Sequence, residues 1–358
     1  MEALTKWIGS KVKFLDEILP LVPADAVRYV EPFVGGGCLF LGVHDFEKFV
    51  INDDCEELME LWREAEHPSR VFLSHIKDIN TAWRNIAKVF EEKSNLLTRM
   101  YTDFPEGHDY NYLQYVETLN PVLRQISYEE VFPQRYTGDD SFEMEKRFRF
   151  SQMKSRSRDR KFRSQEQLED YILTSLKMAL YSYYIELYNS KMILPEGLKK
   201  ALLLYLLHFS ANGQFVYDRL GEFRPVYAGA GHNGKTLDGK LQLLADYQFR
   251  ERMEKTQLNC MDFRKFLIKT RQADGDFLMV DPPLGNMCKK VGAKSFSEQD
   301  WKDLLAYLQS YRQKWMLLVK SADITSEIDN FAKDRYVRHV GFHKEVIVIT
   351  NYDTAKIV

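Results

Sequence analysis

Apolar positions come in short unbroken runs toward both ends of this chain and at helical spacing through its middle. Lys11 to Leu19 reads as an amphipathic helix closed by Pro20 and Pro23. Arg28 to Phe33 reads as a short strand, followed by Gly35-Gly36-Gly37 and by the apolar stretch Cys38 to Val43, which opens a helix. Lys48 to Ile51 is a second short strand, ended by Asn52-Asp53-Asp54, and Glu56 to Glu66 resumes a helical pattern. From about Pro68 to Leu207 the spacing is mostly helical, with many Tyr, Phe and charged residues and few β-branched runs. Glycines and aromatics then alternate from Asn212 to Asn233 in a hairpin-like pattern. The last third predicts a helix over Lys240 to Thr256 and a buried strand over Phe277 to Val280. It continues with a helix from Glu298 to Gln313, N-capped by Ser297, and strands over Trp315 to Val319 and Glu345 to Thr350. Strands alternating with helices argue an α/β fold with a parallel, doubly wound sheet, and the helical middle reads as an insertion into it. No internal repeat or low-complexity segment interrupts this order.

With 358 residues, 45% of them hydrophobic, the chain is long enough for one large domain or a core carrying a substantial insertion. A net charge of −2 gives no global basic signature, so any nucleic-acid surface must be local. One such stretch exists: Lys146 to Arg163 holds nine Lys or Arg and one Asp, interleaved with Phe148, Phe150 and Phe162. It reads either as a set of phosphate contacts, Lys154, Arg156, Arg158, Arg160 and Lys161 among them, or as a solvated charged loop. The four cysteines, Cys38, Cys55, Cys260 and Cys288, form no close pair, which predicts small buried thiols in a reducing compartment and no metal cluster. The opening MEALTKWIGSK lacks the apolar core of a signal peptide. The longest uncharged run, Ala201 to Tyr217, contains His208, Ser210, Asn212 and Gln214 and is a poor membrane span. These features predict a soluble cytoplasmic protein.

The chemistry concentrates at strand ends. Glu31-Pro32-Phe33-Val34-Gly35-Gly36-Gly37 joins a strand to a helix, where glycines let backbone approach a ligand closely. The phosphate-cradling G-x-G-x-x-G and the Walker A pattern are both absent, which suits a nucleoside cofactor without a phosphate. Asp53 ends the next strand, 22 positions after Glu31, placed either to accept from ribose hydroxyls or to cap the following helix. Asp262-Phe263 sets a carboxylate beside a ring, as an adenine pocket would need, or caps another helix. Asp281-Pro282-Pro283-Leu284 follows the strand ending at Val280. Proline fixes φ and donates no hydrogen bond, so this corner is rigid and rich in acceptors, suited to gripping an amino group.

In this order and spacing, the motifs resemble the Dam-like (D12 class) adenine-N6 DNA methyltransferases. Lys6-Trp7-Ile8-Gly9-Ser10-Lys11 is similar to the family's opening K-W-x-G-G-K, and EPFVGGG matches its first cofactor motif. Ile51-Asn52-Asp53 resembles the ribose segment, Asp262-Phe263 the adenine segment, and Val346 to Tyr352 the closing strand. The resemblance implies a Rossmann-like, S-adenosyl-L-methionine-dependent catalytic domain over residues 1–66 and 238–358, with an inserted target-recognition domain over 67–237. It implies S-adenosylmethionine as cofactor, with Trp7, Lys11, Glu31, Phe33 and Gly35 to Gly37 around its methionine part. Asp53 would face the ribose, and Asp262 with Phe263 the adenine. The partner implied is double-stranded DNA, whose target adenine is flipped out. Asp281 and the Pro282 carbonyl would accept from its amino group and free the nitrogen lone pair for in-line attack.

The chain departs from the family pattern in three places. Leu284 stands where the family has an aromatic, and base–aromatic stacking contributes roughly 1–3 kcal/mol. Val216-Tyr217-Asp218 replaces an Arg-led recognition triplet, leaving Tyr217, Arg219 and Arg224 as the side chains of this segment expected to meet DNA. Val319-Lys320-Ser321-Ala322 replaces a more usual Ser-Asn segment. Two readings follow: a site-specific adenine methyltransferase, slowed by Leu284, or a methyltransferase-like protein that binds DNA or cofactor with weak or no turnover. Either would be prokaryotic or phage-encoded, in a restriction-modification, defence or phage setting.

Overall fold

A computed structural model describes residues 2–102, 162–283, 288–289 and 296–356. Leu284, the cations Lys154, Arg156, Arg158, Arg160 and Lys161, and the Cys288 side chain lie outside the described residues. The strands are β1 (Arg28–Glu31), β2 (Lys48–Asp53), β3 (Phe215–Val216), β4 (Thr256–Cys260), β5 (Asp276–Val280), β6 (Cys288–Lys289), β7 (Lys314–Lys320), β8 (Tyr336–Val340) and β9 (Val346–Thr350).

Seven of them form one sheet in the order β4-β2-β1-β5-β7-β9-β8, and β3 pairs with β6 separately. β4, β2, β1, β5 and β7 run parallel, while β9 lies antiparallel to both β7 and β8. The sheet is therefore mixed, where alternation alone predicts an all-parallel one. The reason is the five-residue turn 341–345 between β8 and β9, too short for a parallel crossover. The fold is α/β and Rossmann-like, as expected.

Central strands are continuous apolar runs because both their faces are covered. On one face, Val30, Leu278, Val280, Leu317, Val319, Ile347 and Ile349 pack with Phe266, Leu304, Leu308 and Ile328 from flanking helices. Alternate residues point the other way: Tyr29 meets Phe49 at 5.8 Å and Phe277 at 6.2 Å between ring centroids, and Phe40 meets Phe49 at 5.3 Å. The edge strand β8 buries only Val340, and its other positions, exposed and partly charged, carry no alternation to read.

By contacts the chain separates into two compact units. The first is Met1–Pro68, Asn212–Gly221 and Gln242–Val358, and it holds the sheet. The second is Ser69–Ala211 and Glu222–Leu241. Its described helices, Arg70–Thr102, Gln165–Asn189 and Leu198–Phe209, enclose Trp83, Tyr181, Tyr205 and Phe209. No described helix is long and apolar enough to cross a membrane.

Three local readings change. Lys11 to Leu19 is a 3-10 turn (Val12–Phe14), one α-helical turn (Leu15–Ile18) and a second 3-10 turn (Leu19–Leu21) containing Pro20, whose ring prevents a longer helix. The helix expected over Lys240 to Thr256 breaks into Asp238–Ala245 and Tyr247–Glu254, because the Asp246 carboxylate accepts from Phe249 N and starts a new helix. Over the hairpin expected from Asn212 to Asn233 the structure has the two residues of β3, single bridge residues at Tyr217 and Phe223, and an isolated Ser210–Tyr227 bridge.

Candidate active site

β1 and β5 are neighbours, and the chain builds outward from them in both directions. Loops leaving their C-terminal ends therefore diverge and open a crevice. The Glu31–Gly37 loop leaves β1 and Asp281-Pro282-Pro283 leaves β5, so motifs far apart in sequence meet at this switch point. Between them lies a cavity of about 730 Å³, within the range of small-molecule sites. Trp7, Lys11, Glu31, Phe33, Gly35, Gly36, Asp53, Asp262, Phe263, Asp281, Pro282 and Pro283 all line it. Gly37 is the exception; it N-caps the short helix Cys38–Gly42.

The glycine loop is shaped by two indoles. Gly35 has φ +50°, and a Cβ there would lie 2.6 Å from Trp7 Cδ1. Gly37 has φ +79°, and a Cβ there would lie 2.5 Å from Trp62 Cζ2. Left-handed backbone and close packing thus both exclude a side chain. Trp62 Nε1 also donates to Gly35 O at 3.0 Å, which fixes the loop against the buried face of the helix Glu56–Glu66.

Asn52, named above only within the Ile51-Asn52-Asp53 segment and given no role of its own, ties three segments together. Its Nδ2 donates to Pro32 O at 3.0 Å and Met261 O at 2.9 Å, and its Oδ1 accepts from Met261 N at 3.1 Å. The only trace it leaves in the sequence is a polar residue at the end of an apolar strand.

Four ionisable groups dominate the cavity. Lys11 is buried, and its Nζ donates to Gly9 O at 2.9 Å and to Asp281 Oδ1 at 2.5 Å. Burial raises the Asp281 pKa, although the Lys11 ammonium pulls it down. Among the described residues no donor reaches Asp281 Oδ2. Burial also pushes Glu31 well above the usual carboxylate range, against the hydrogen bond it accepts from Tyr29 Oη at 2.8 Å. Asp53 accepts from Gly35 N at 3.0 Å and Cys55 N at 3.1 Å, yet burial and the neighbouring Asp54 push its pKa up to about 7. Three buried or half-buried carboxyl groups thus face a single buried cation, so the cavity favours a cationic occupant.

The aromatic wall is Phe33, Phe263 and Phe296, with centroids 5.4 Å, 5.7 Å and 5.6 Å apart pairwise. Phe296 is therefore committed to Phe33 and Phe263. Asp262 caps the helix Phe263–Thr270 through Arg264 N at 2.9 Å, and its other oxygen meets the Arg264 guanidinium at 3.1 Å. Arg264 lies 4.4 Å over the Phe263 ring and also pairs with Asp300 and Asp303. Cys38 and Cys55 line the cavity, and neither they nor Cys260 form a disulfide. No group of three potential metal ligands occurs among the described residues.

Three of the residues expected at DNA are described. Tyr217 Oη donates to Glu57 Oε1 at 3.2 Å, and Arg219 is exposed in a turn. In the second unit Arg224 forks between Glu186 and Glu222.

Comparison with known proteins agrees with this geometry. The Type II methyltransferase M1.LlaDCHI of Lactococcus lactis subsp. cremoris is 39% identical over 66 residues, which is 18% of this chain and 23% of that protein. The Type II methyltransferase M.CviBI of Paramecium bursaria Chlorella virus NC1A is 36% identical over 64 residues, 18% of this chain and 25% of that protein. The chain thus spans about a quarter of the length of these curated relatives. The model of one family covers far more, residues 7–343. The chain belongs to the D12 class N6 adenine-specific DNA methyltransferases.

Proposed function

We propose that this protein transfers a methyl group from S-adenosylmethionine to the N6 amino group of an adenine in duplex DNA. The D12 class uses that methyl donor. The observation that carries the reading is the pairing of Asp281 with buried Lys11 in the wall of the glycine-loop cavity. Residues 1–66 and 238–358 then form the catalytic part, and 67–237 the target-recognition part.

The cavity fits this donor on three counts. Its volume suits a nucleoside, the Phe33, Phe263 and Phe296 rings offer an apolar wall to a base, and its surplus of carboxyl groups suits a net cation. When bound, the donor supplies an electrophilic methyl group on a sulfonium. Lys11 takes Asp281 Oδ1 and fixes the carboxylate, which leaves Oδ2 to accept from the target amino group. The Pro282 carbonyl accepts the second amino hydrogen. Two acceptors localise the lone pair on nitrogen, and positioning supplies most of the rate. Asp53, in this reading, does two jobs: it clamps Gly35 and Cys55 and offers remaining lone pairs to the ribose.

The carboxyl pKa values set a pH dependence. A cation binds best to ionised carboxylates, and Asp53 titrates near 7 without one. Donor affinity is therefore expected to rise up to about tenfold per pH unit toward pH 7 and to level off above it, with proton release below pH 7. Calorimetry in buffers of different ionisation enthalpy reads both effects. An affinity flat from pH 5.5 to 8, or one unchanged in slope by Asp53→Asn, contradicts this account.

A second reading, binding without turnover, rests on Leu284. Methyl transfer from labelled donor to unmethylated genomic DNA separates the two, with Leu284→Tyr alongside. Label from wild type supports the enzyme. Label from Leu284→Tyr alone supports a degenerate site. No label from either, with DNA still bound, supports the binding protein.

A further inference from the structure

The turn between β8 and β9 stands at the same end of the sheet as Asp281. Lys320, the last residue of β7, pairs with Val346, and Val346 pairs with Val340. β7 runs parallel to β5, so the turn emerges at the end of the sheet where β5 releases Asp281, with β7 between β5 and β9. It is braced from two sides. Ser321 N donates to Glu345 O at 2.9 Å, and Ser321 Oγ donates to Lys344 O. Gly341 N donates to the Glu17 carboxylate at 3.2 Å, and the Phe14 ring packs so closely that a Cβ on Gly341 would lie 2.8 Å from Phe14 Cε1. Phe14 N in turn donates to Lys11 O at 2.8 Å, and Lys11 holds Asp281.

On this braced turn Phe342 is 95% exposed, with the His343 ring beside it at 4.8 Å. Single exposed apolar side chains are ordinary. An almost wholly exposed ring on a fixed turn, at the active-site end of a sheet, is a narrower observation. Charged residues of both signs belong to this turn and to the segments joined to it: Lys320, Arg338 and Lys344 with Glu17, Glu345 and Asp323. Glu17 and Glu345 are engaged by the Gly341 and His343 amides. An exposed ring on a turn that also carries Lys344 and abuts the end of β7 at Lys320 can stack on the face of an unstacked base while the ammonium groups meet phosphates.

We propose that Phe342 stacks on a base of the DNA strand opened when the target adenine leaves the duplex, with Lys320 and Lys344 meeting adjacent phosphates. This rests on the methyltransferase reading above. It adds a DNA contact outside residues 67–237, the part expected to recognise sequence. The exposed β8 edge suggests a rival occupant, a second copy of this chain.

The test uses the full-length protein and two mixed-sequence duplex probes, one perfectly paired and one with a single unpaired adenine. Fluorescence anisotropy is expected to show Phe342→Ala binding the unpaired-adenine probe about 5- to 150-fold more weakly than wild type. Phe342→Trp is expected to stay within about threefold of wild type, and Phe342→Leu to behave like Phe342→Ala, because leucine keeps the apolar surface and loses the π face. Lys344→Gln is expected to weaken both probes alike and to reduce the salt slope by about 1. Donor affinity stays unchanged in all four variants. If wild type methylates adenine and Phe342→Ala binds the unpaired probe as well as wild type, the inference fails and the reading beneath it stands. If wild type binds neither probe and transfers no methyl group, both fail. A change of sedimentation in Phe342→Ala with DNA affinity intact assigns the turn to self-association and overturns the proposal.

Discussion

Asp281→Ala is expected to lower single-turnover methyl transfer by about 1000-fold or more, with duplex DNA affinity changed by no more than about threefold. Two effects combine. The target amino group loses its charged acceptor, and losing one preorganised electrostatic partner of this kind costs about 100- to 1000-fold in rate. The substitution also leaves the Lys11 ammonium buried without its carboxylate, where it repels a cationic donor. Asp281→Asn separates the two effects: it keeps an acceptor and the shape but removes the charge, so it is expected to fall between wild type and Asp281→Ala. Equal rates for Asn and Ala would show that geometry at this corner contributes nothing and that charge is the whole effect. A rate within tenfold of wild type for Asp281→Ala would remove this carboxylate from the mechanism.

Lys11→Met has the second largest expected effect, and its sign depends on pH. In wild type the ammonium offsets the burial that raises the Asp281 pKa. Without it the pKa rises further. Below the shifted pKa, Asp281 protonates and little stability is lost. Above it, a carboxylate sits half-buried and uncompensated, which costs on the order of 3 kcal/mol. Urea unfolding is therefore expected to show a small deficit at pH 5 that widens toward pH 8. Methyl transfer falls as well wherever the pH lies below the shifted pKa, because a protonated carboxyl no longer offers a charged acceptor. The double variant Lys11→Met/Asp281→Asn is expected to recover most of the stability at pH 8, since neither charge remains. A deficit of equal size at both pH values would mean that Lys11 acts through packing alone.

The sequence carried the sheet's centre and the cavity's lining, and for a physical reason. β5, β7 and β9 are unbroken apolar runs, and Glu31, Asp53 and Asp281 stand at or just past the C-terminal ends of their strands, where an α/β sheet places its ligand. The helix Glu56–Glu66 was legible because its apolar residues, Leu58, Met59, Leu61, Trp62 and Ala65, fall on one face. β8 was not, because an edge strand with four exposed positions has no buried face to pattern. Asn52 escaped because its hydrogen bonds join residues separated by 20 and 209 positions, a relation that spacing does not encode. The same holds for Phe342: only the strand register brings its turn to the end of the sheet that carries Asp281.

The central claim is that this cavity methylates adenine. Its most direct measurement is nucleoside analysis of unmethylated genomic DNA after incubation with the protein and S-adenosylmethionine, with Asp281→Ala in parallel. The account predicts N6-methyladenine from wild type and none above background from Asp281→Ala. Methylated cytosine in place of adenine, or equal N6-methyladenine from both proteins, would contradict it.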